Sequence, residues 1–205
     1  MSSRVQRLTE RDIPGVVDVL SDAFAGYPVM AHMLGPGHGP ESDHLRRFVH
    51  FAAMARVYRR EFLFGVSDGG VLQAAALLSR PSRSESPPPL DALREDLWNV
   101  LGPEARARYE SYGVAIAPFL DLPPHLHLNM IGVRHAAHGR GLARALLEHV
   151  QVVSYDDADS CGVSLTTETE KNVPLYRHFG YRLIGKTEIV PGLTCWGFFR
   201  PNAHV

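Results

Sequence analysis

The sequence predicts a single α/β domain of 205 residues in which helices flank a mixed, mostly antiparallel sheet. Strands and helices alternate over residues 125–178, and a strand pair follows at 181–199. Two further strands, at 61–67 and 71–79, are joined by Asp68-Gly69-Gly70, which is typical of a hairpin turn. Since 205 residues are enough for one well-buried core, nothing in the length favours a second domain.

The N-terminal region is predicted to begin with a short strand at residues 4–8. Thr9 then heads a helix, because Asp12 three positions later completes a pattern close to a capping box. The next elements follow in order: a short helix at Val29–Leu34, a Gly-Pro-rich loop at 35–40 and a helix at 42–59, whose apolar face is Leu45, Phe48, Val49 and Ala52.

The stretch Arg80–Pro89 (RPSRSESPPP) is rich in Pro and Ser. It is interpreted as a surface loop rather than an interdomain linker, because the segments beside it are too small to be separate cores. A helical pattern follows at 91–117, with a break at Gly102-Pro103.

The sequence of the C-terminal half predicts two strand–helix units followed by a final pair of strands. The elements are a strand at 125–133, a helix at 139–153, a strand at 161–167, a helix at 172–178, and strands at 181–190 and 194–199 separated by Pro191-Gly192.

Composition excludes several classes of protein. The net charge of −1 gives no indication of a nucleic-acid or membrane-surface partner. No run of about 18 apolar residues occurs, and Met1-Ser2-Ser3-Arg4 lacks the apolar core of a signal peptide. Cys161 and Cys195 are too few for a disulfide framework and are expected to be reduced. A cytoplasmic protein is therefore expected.

The 11 histidines raise the question of a metal site. No H-E-x-x-H or Cys-x-x-Cys occurs, and His125-Leu126-His127 is the only tight pair. We therefore expect no metal, with most histidines at the surface or in a pocket.

Two glycine-rich stretches are candidates for binding phosphate. GYRLIGKT at 180–187 fits the P-loop pattern G-x-x-x-x-G-K-[ST], but a short helix precedes it and a strand follows, the reverse of a P-loop. HGRGLA at 138–143 follows a strand and opens a helix, whose first amides are unpaired. The sequence favours the second stretch and leaves a nucleotide hydrolase that uses Lys186 as a remote alternative.

The segment 131–147, IGVRHAAHGRGLARALL, resembles motif A of the GNAT superfamily of acyl-CoA N-acyltransferases, although His138 stands where Gln or Arg is usual and His135 where Pro is common. The segment 165–181, LTTETEKNVPLYRHFGY, is similar to motif B of the same family. The residues that match motif B in register are Asn172, Leu175, Tyr176, Gly180 and Tyr181. Asp22-Ala23-Phe24, Tyr27-Pro28 and Trp196-Gly197-Phe198 further resemble the puromycin N-acetyltransferase-like branch.

The resemblance implies a GNAT-like domain over 1–205 with splayed central strands, a CoA-binding core at about 125–185 and an acceptor-side insertion at about 80–120. It implies acetyl-CoA as co-substrate, with the pyrophosphate on the amides of 139–143 and the pantetheine arm between the strands 129–133 and 161–167. The cofactor-binding residues it implies are Ile131, Gly132, Val133, His138, Gly139, Arg140, Gly141, Leu142, Ala143, Arg144, Asn172 and Tyr176.

The activity implied is transfer of an acetyl group to a primary amine of a small molecule, directly through a ternary complex. Tyr176 is the expected general acid toward the CoA sulfur; Glu168 is one possible base, and His127 or His125 another. The expected acceptor pocket contains Phe24, Tyr27, Met30, Met33 and His125, with Trp98, Tyr109, Tyr112 and Phe119 as further candidates. The alternative is a catalytically silent CoA-binding sensor or regulatory protein of the same fold, and the chain is expected to be a monomer or homodimer.

Overall fold

Seven strands form one mixed sheet in a computed structural model that describes residues 4–35, 42–81 and 86–202. Their order across the sheet is β1-β2-β3-β4-β5-β7-β6, and every neighbouring pair is antiparallel except β4 and β5. The strands are β1 (Val5–Arg7), β2 (Phe62–Asp68), β3 (Val71–Ser79), β4 (Leu126–Val133), β5 (Gly162–Thr167), β6 (Arg182–Val190) and β7 (Leu193–Pro201).

Helices cover both faces of this sheet, so the predicted single α/β domain is confirmed. The helices are α1 (Ile13–Ala23), α2 (Pro28–Leu34), α3 (Asp43–Tyr58), α4 (Pro88–Leu101), α5 (Pro103–Ile116), α6 (Leu142–Asp156) and α7 (Val173–His178). The side chains of β3 alternate between the two faces: Ala75 and Leu77 pack with α1 to α5, whereas Ala76 and Leu78 pack with α6 and α7.

The helices begin where the local sequence satisfies their first turn. The Thr9 amide donates to Asp12 Oδ2 at 2.8 Å, but this box encloses a 3-10 turn at Glu10–Asp12, and α1 starts only at Ile13. Pro88 starts α4, inside the stretch predicted as a loop, because proline is well suited to the first helical turn. Residues 36–40 and 82–85 of the two predicted loops lie outside the described residues.

The helix predicted from Gly139 begins at Leu142 instead. Gly139 and Gly141 have φ angles of 76° and 75°, in the left-handed region that an L side chain rarely adopts. Two left-handed residues cannot continue a right-handed helix, so the stretch forms a turn that leads into the 15 residues of α6.

The parallel strands β4 and β5 pair only over Leu126–Leu128 and Val163–Leu165, and then separate. The register of β3 against β4 shifts between Leu128 and Met130, which makes Asn129 a β-bulge. Because of this extra residue, Met130 packs on the face opposite Leu126 and Leu128 rather than beside them. The implied splay between the central strands is confirmed.

The stretch GYRLIGKT runs from the turn at Gly180 along β6, and Lys186 and Thr187 lie within that strand, opposite Trp196 and Cys195 of β7. Strand and turn follow Gly185, so the stretch has no P-loop geometry. Within the three described ranges, no helix is both long enough and apolar enough to cross a membrane.

Candidate active site

A cavity of about 440 Å³ lies between the sheet and the helices α2, α3, α4 and α5, and it reaches the place where β4 and β5 separate. Its sheet wall includes His127, Asn129 and Ile131 of β4 and the end of β5 at Thr166 and Glu168. Its helical wall is mostly apolar and aromatic. The predicted wall residues found there are Phe24, Tyr27, Met30, Met33, Tyr109 and Tyr112.

Glu168 directly follows β5 and is 7% exposed. The Tyr112 hydroxyl donates to its Oε1 at 2.9 Å, and its own backbone amide donates to the Tyr27 hydroxyl at 3.1 Å. Burial raises the pKa of the Glu168 carboxyl, and hydrogen bonds from Cys195 and Tyr112 partly offset that rise. The carboxylate therefore holds a proton more readily than an exposed glutamate.

Tyr176 lies on α7 and also lines the cavity. Its ring packs against Tyr181 and Phe198, with ring centroids 5.9 and 5.6 Å apart. Burial, followed by the negative charge that Tyr27 would carry if ionised, raises the pKa of the Tyr176 phenol well above its usual value. Because of this raised pKa, the phenol keeps its proton at neutral pH. Its hydroxyl makes no hydrogen bond with another described residue, so the proton is available for donation.

A hydroxyl network fixes the end of β5 against its neighbours. Thr167 Oγ1 lies 2.8 Å from the Tyr27 hydroxyl and accepts a hydrogen bond from Asn172 Nδ2 at 3.0 Å. Burial and the nearby Glu168 charge raise the pKa of Tyr27 to about 12, so its hydroxyl is neutral at physiological pH. The network joins α2, β5 and the turn before α7 around the carboxylate.

The two histidines of the His125-Leu126-His127 pair occupy different places. His127 lines the cavity and its Nδ1 lies 2.8 Å from Ser164 Oγ; burial, with the His125 and Arg56 charges, lowers its pKa to about 3. His125 does not line this cavity and lies apart from the other residues predicted for the acceptor pocket. It lies at a separate cavity of about 180 Å³ beside Asp157, and its Nδ1 donates to the Pro123 carbonyl.

Two of the predicted aromatic wall residues also lie elsewhere. Trp98 packs behind Tyr109, with ring centroids 5.1 Å apart. Phe119 lies against the β6–β7 hairpin, where its ring covers Gly185 and Gly197. Both residues belong to the apolar core rather than to the cavity wall, because Trp98 packs against α5 and Phe119 packs against the β6–β7 hairpin.

Sequence reasoning missed the arginines of the cavity wall, Arg56, Arg59 and Arg94. Arg56 was detectable, since it lies four residues after Ala52 on the face of α3 predicted to be apolar. A charged residue on a buried helical stripe is uncommon and indicates a special environment.

The glycine turn before α6 is open on its outer side. A Cβ atom built on Gly139 or Gly141 would meet no atom within 4 Å. His138 Nε2 donates to the Val133 carbonyl at 3.1 Å, which ties the turn to the end of β4, and Arg140 Nη2 lies 2.7 Å from Asp68 Oδ2.

Four other residues implied for cofactor binding lie in different surroundings. Leu142 is buried in the core, and Arg144 lies over the ring of Phe179 at 5.5 Å. A Cβ atom on Gly132 would come within 2.6 Å of Ala23 Cβ, so this glycine allows α1 to pack against β4. Ile131 lines the cavity.

No group of three or more His, Cys, Asp or Glu side chains that could hold a metal ion occurs in residues 4–35, 42–81 and 86–202. Residues 101–183 match the family model described as the acetyltransferase (GNAT) domain.

Solved structures with the same fold cover nearly the whole chain. An acetyltransferase of Corynebacterium glutamicum, described as histone acetyltransferase HPA2 and related, superposes with a TM-score of 0.72 at 23% identity, covering 100% of this chain and 99% of that chain. The C-terminal condensation domain of Ebony, in complex with beta-alanyl-dopamine, gives 0.72 at 12% identity and covers 97% and 98%. A polyamine N-acetyltransferase of Drosophila melanogaster gives 0.64 at 16% identity and covers 97% and 99%.

Proposed function

We propose that this protein, with its GNAT fold and its acetyltransferase-domain match over 101–183, is an N-acetyltransferase that moves an acetyl group from acetyl-CoA to a primary amine of a small molecule. One observation carries the proposal: Glu168 and Tyr176, a carboxylate and a neutral phenol, line the same cavity where β4 and β5 separate. Acyl transfer to an amine needs a proton acceptor and a proton donor at one place.

The residues at this place fit acetyl-CoA, which supplies the thioester. The open turn at Gly139 and Gly141 and the unpaired amides at the start of α6 suit an anionic pyrophosphate, because a helix N-terminus carries a partial positive charge. The β4 edge at 129–133 is not paired with β5 and offers its backbone groups to the pantetheine arm.

Glu168 is the better candidate for the base. An alkyl ammonium with a pKa of about 10 must lose a proton before it can attack, and a carboxylate with a raised pKa accepts that proton more readily than an ordinary one. His127, with a pKa lowered to about 3, is a much weaker acceptor, and its Nδ1 is engaged with Ser164.

Tyr176 is assigned as the acid. As the new carbon–nitrogen bond forms and the carbon–sulfur bond breaks, its phenol gives a proton to the departing sulfur, while Glu168 takes the proton released by the amine. A thiol of pKa near 8.5 is a better leaving group when it departs protonated. Direct transfer through a ternary complex needs no covalent enzyme intermediate.

The acceptor panel follows from the resemblance and from the neighbours. Likeness to the puromycin N-acetyltransferase-like branch remains a prediction, so puromycin-like aminonucleosides belong in the panel. Polyamines and arylalkylamines belong there too, since the solved structures with this fold include the polyamine N-acetyltransferase of Drosophila melanogaster and an arylalkylamine N-acetyltransferase of Aedes aegypti. A cytoplasmic location and a monomeric or homodimeric state also remain predictions.

The test is release of free thiol from acetyl-CoA across this amine panel. Tyr176→Phe is expected to lower kcat about 100-fold or more, while the Kd for CoA stays nearly unchanged. Tyr155→Phe is the matched control, because Tyr155 is 56% exposed on α6. Unchanged turnover in the Tyr176 variant removes that residue from its role, and CoA binding without thiol release for any amine favours the silent sensor instead.

A further inference from the structure

The structure assigns to Tyr112 the positioning of the proposed base, Glu168. This inference rests on the proposed function, because a positioned base has a role only in the transfer that Glu168 serves. Tyr112 lies on α5, and this helix also forms part of the cavity wall. One helix therefore lines the cavity for the amine and holds the group that takes the proton of the amine.

The Tyr112 hydroxyl has one proton, and its neighbours decide where that proton goes. The hydroxyl oxygen lies 2.9 Å from Glu168 Oε1 and 3.3 Å from Thr166 Oγ1. An ionised carboxylate only accepts hydrogen bonds, whereas a threonine hydroxyl can also donate. Tyr112 therefore donates to Glu168, and Thr166 is left to donate to Tyr112. The phenol is held on both sides and directed at the carboxylate.

This hydrogen bond fixes the orientation of the Glu168 carboxyl group. The last torsion of a glutamate side chain is broad, so a carboxyl group without partners turns freely. With Oε1 held by Tyr112, the second oxygen keeps one position relative to the cavity. The backbone of Glu168 is fixed separately, because its amide donates to the Tyr27 hydroxyl at 3.1 Å. Proton transfer depends on such alignment, since a base must lie within hydrogen-bond reach of the proton it takes.

The contacts of α5 keep the hydroxyl in place. The Tyr112 ring packs against the apolar cluster that contains Ile116 and Cys195. One turn earlier, Arg108 Nε donates to the Met33 carbonyl of α2 at 3.2 Å. A phenylalanine ring can make the same apolar contacts, so Tyr112→Phe removes the hydroxyl while leaving the packing of the helix.

The bond from Tyr112 also affects how readily Glu168 takes a proton. Burial raises the pKa of the Glu168 carboxyl, and hydrogen bonds from Cys195, Tyr112 and Tyr27 lower it. A thiol is a weak donor, so the phenol at 2.9 Å makes a stronger bond than Cys195. Loss of the Tyr112 hydroxyl is expected to raise the pKa of Glu168 further, because the ionised carboxyl loses a partner.

The other titratable groups that face Glu168 keep their charge state while a carboxyl titrates. They are Tyr27 of α2, Tyr112 of α5, Tyr176 of α7 and Cys195 of β7, and burial raises the pKa of each. His127 lines the same cavity, but burial lowers its pKa to about 3. Glu110, the other acid of the wall, accepts a hydrogen bond from Arg106 Nε at 2.9 Å. The acidic limb of a pH profile should therefore report on Glu168.

The experiment compares the pH dependence of kcat/KM for thiol release between the wild type and Tyr112→Phe. The acidic limb of the variant is expected to move to higher pH, because the pKa of Glu168 rises without the hydroxyl. The plateau above this limb is expected to fall about tenfold or more, because the base is no longer held in place. A defect in packing would lower the plateau alone, so the movement of the limb decides.

Tyr109→Phe is the matched control. Tyr109 lies three residues earlier on α5 and lines the same cavity, but its ring packs against Phe48 and Trp98. Its loss of a hydroxyl is expected to leave the acidic limb where the wild type has it, whatever the effect on KM for the amine. A limb that stays in place in Tyr112→Phe, or that moves equally in both variants, overturns the assignment.

A second measurement needs no turnover and uses the protein without acetyl-CoA. The carbon-13 carboxyl resonance of Glu168, assigned by its absence from Glu168→Gln, is expected to titrate at higher pH in Tyr112→Phe than in the wild type. In the wild type the ζ-carbon resonance of Tyr112 is expected to titrate with it, because the hydrogen bond changes when the carboxyl ionises. Should Tyr112→Phe not fold, this joint titration decides, and a Tyr112 resonance that does not respond overturns the inference.

The two measurements separate this inference from the proposed function. A wild-type protein that releases no thiol with any amine contradicts the proposed function. Thiol release by the wild type, together with a Glu168 titration that is the same in Tyr112→Phe, contradicts only the positioning role of Tyr112.

Discussion

Replacement of Glu168 by Gln tests the proposed base with almost no change in shape. The amide keeps an oxygen that can accept the Tyr112 hydroxyl, now 2.9 Å from Oε1, and it keeps the side-chain volume. What it loses is the ability to take a proton. The variant protein can therefore use only acceptor amine molecules that are already neutral when they bind.

The size of the effect follows from the ionisation of the acceptor. At pH 7 about one alkyl amine in a thousand is neutral, and at pH 9 about one in ten. A general base is worth about 10²- to 10⁴-fold, so kcat/KM of Glu168→Gln is expected to fall by that factor at pH 7. The deficit should shrink about 100-fold between pH 7 and pH 9, because the free amine becomes that much more abundant.

The assay is the pH dependence of kcat/KM for thiol release. The wild-type profile should rise through a pKa above that of an ordinary glutamate, since burial raises the pKa of Glu168. Glu104→Gln, at a side chain that is 90% exposed, is the matched control and should follow the wild type. Parallel profiles for the wild type and Glu168→Gln would refute the assignment, because the missing base would then make no difference to the protonation requirement.

Although Glu168→Gln is expected to lower the activity, it is expected to raise the stability of the folded protein. The pKa of Glu168 is raised in the folded state, so the folded state loses stability as the pH rises from the unfolded pKa through the folded one, and the loss is complete above it. Glu168→Gln is therefore expected to raise Tm at neutral pH. Below pH of about 4, where the carboxyl is protonated in both states, Tm should differ little between the two proteins.

Four further substitutions test the fold and the glycine turn. Gly197→Ala would place a Cβ 2.4 Å from the Phe119 ring, and it should lower the free energy of unfolding by about 1–3 kcal/mol in urea titration. Gly113→Ala, where a Cβ meets nothing within 4 Å on α5, should be neutral or stabilising. Asn202→Ala removes the two 2.8 Å hydrogen bonds that Nδ2 donates to backbone carbonyls, and it should cost about 2–4 kcal/mol by the same titration. Gly141→Ala forces an L side chain to a φ of 75°, a strain of about 1–2 kcal/mol, and calorimetry should show weaker CoA binding; unaltered affinity would place the pyrophosphate elsewhere.

Much of the fold was predictable because it follows local patterns. The hairpin at Asp68-Gly69-Gly70 and the helix break at Gly102-Pro103 come from backbone preferences of Gly and Pro, and the structure has both. The start of α6 was predicted three residues early, because periodicity does not distinguish a helical glycine from a left-handed one such as Gly141.

The motifs predicted site residues more directly than the packing did. The spacing of motif B predicted Tyr176 and Asn172 as site residues, and both line the cavity. The bulge at Asn129 has no local signal, since strict alternation in HLHLNMIGV would place Met130 beside Leu128. The position of His125 outside the cavity has no local signal either, because His125 precedes β4 and the alternation of that strand does not govern its direction.

The short pairing of β4 with β5 makes the middle of the sheet a hinge between two half-sheets, β1 to β4 on one side and β5, β7 and β6 on the other. In the described residues, only three β4–β5 residue pairs, Leu126–Leu128 with Val163–Leu165, join the two half-sheets by strand pairing. A ligand that lies in the gap would contact both half-sheets, so binding of the acyl donor is expected to make the sheet more rigid. Slower hydrogen exchange at the amides of 129–133 in the presence of CoA is the expected sign, and it would make this protein's stability a direct readout of its donor supply.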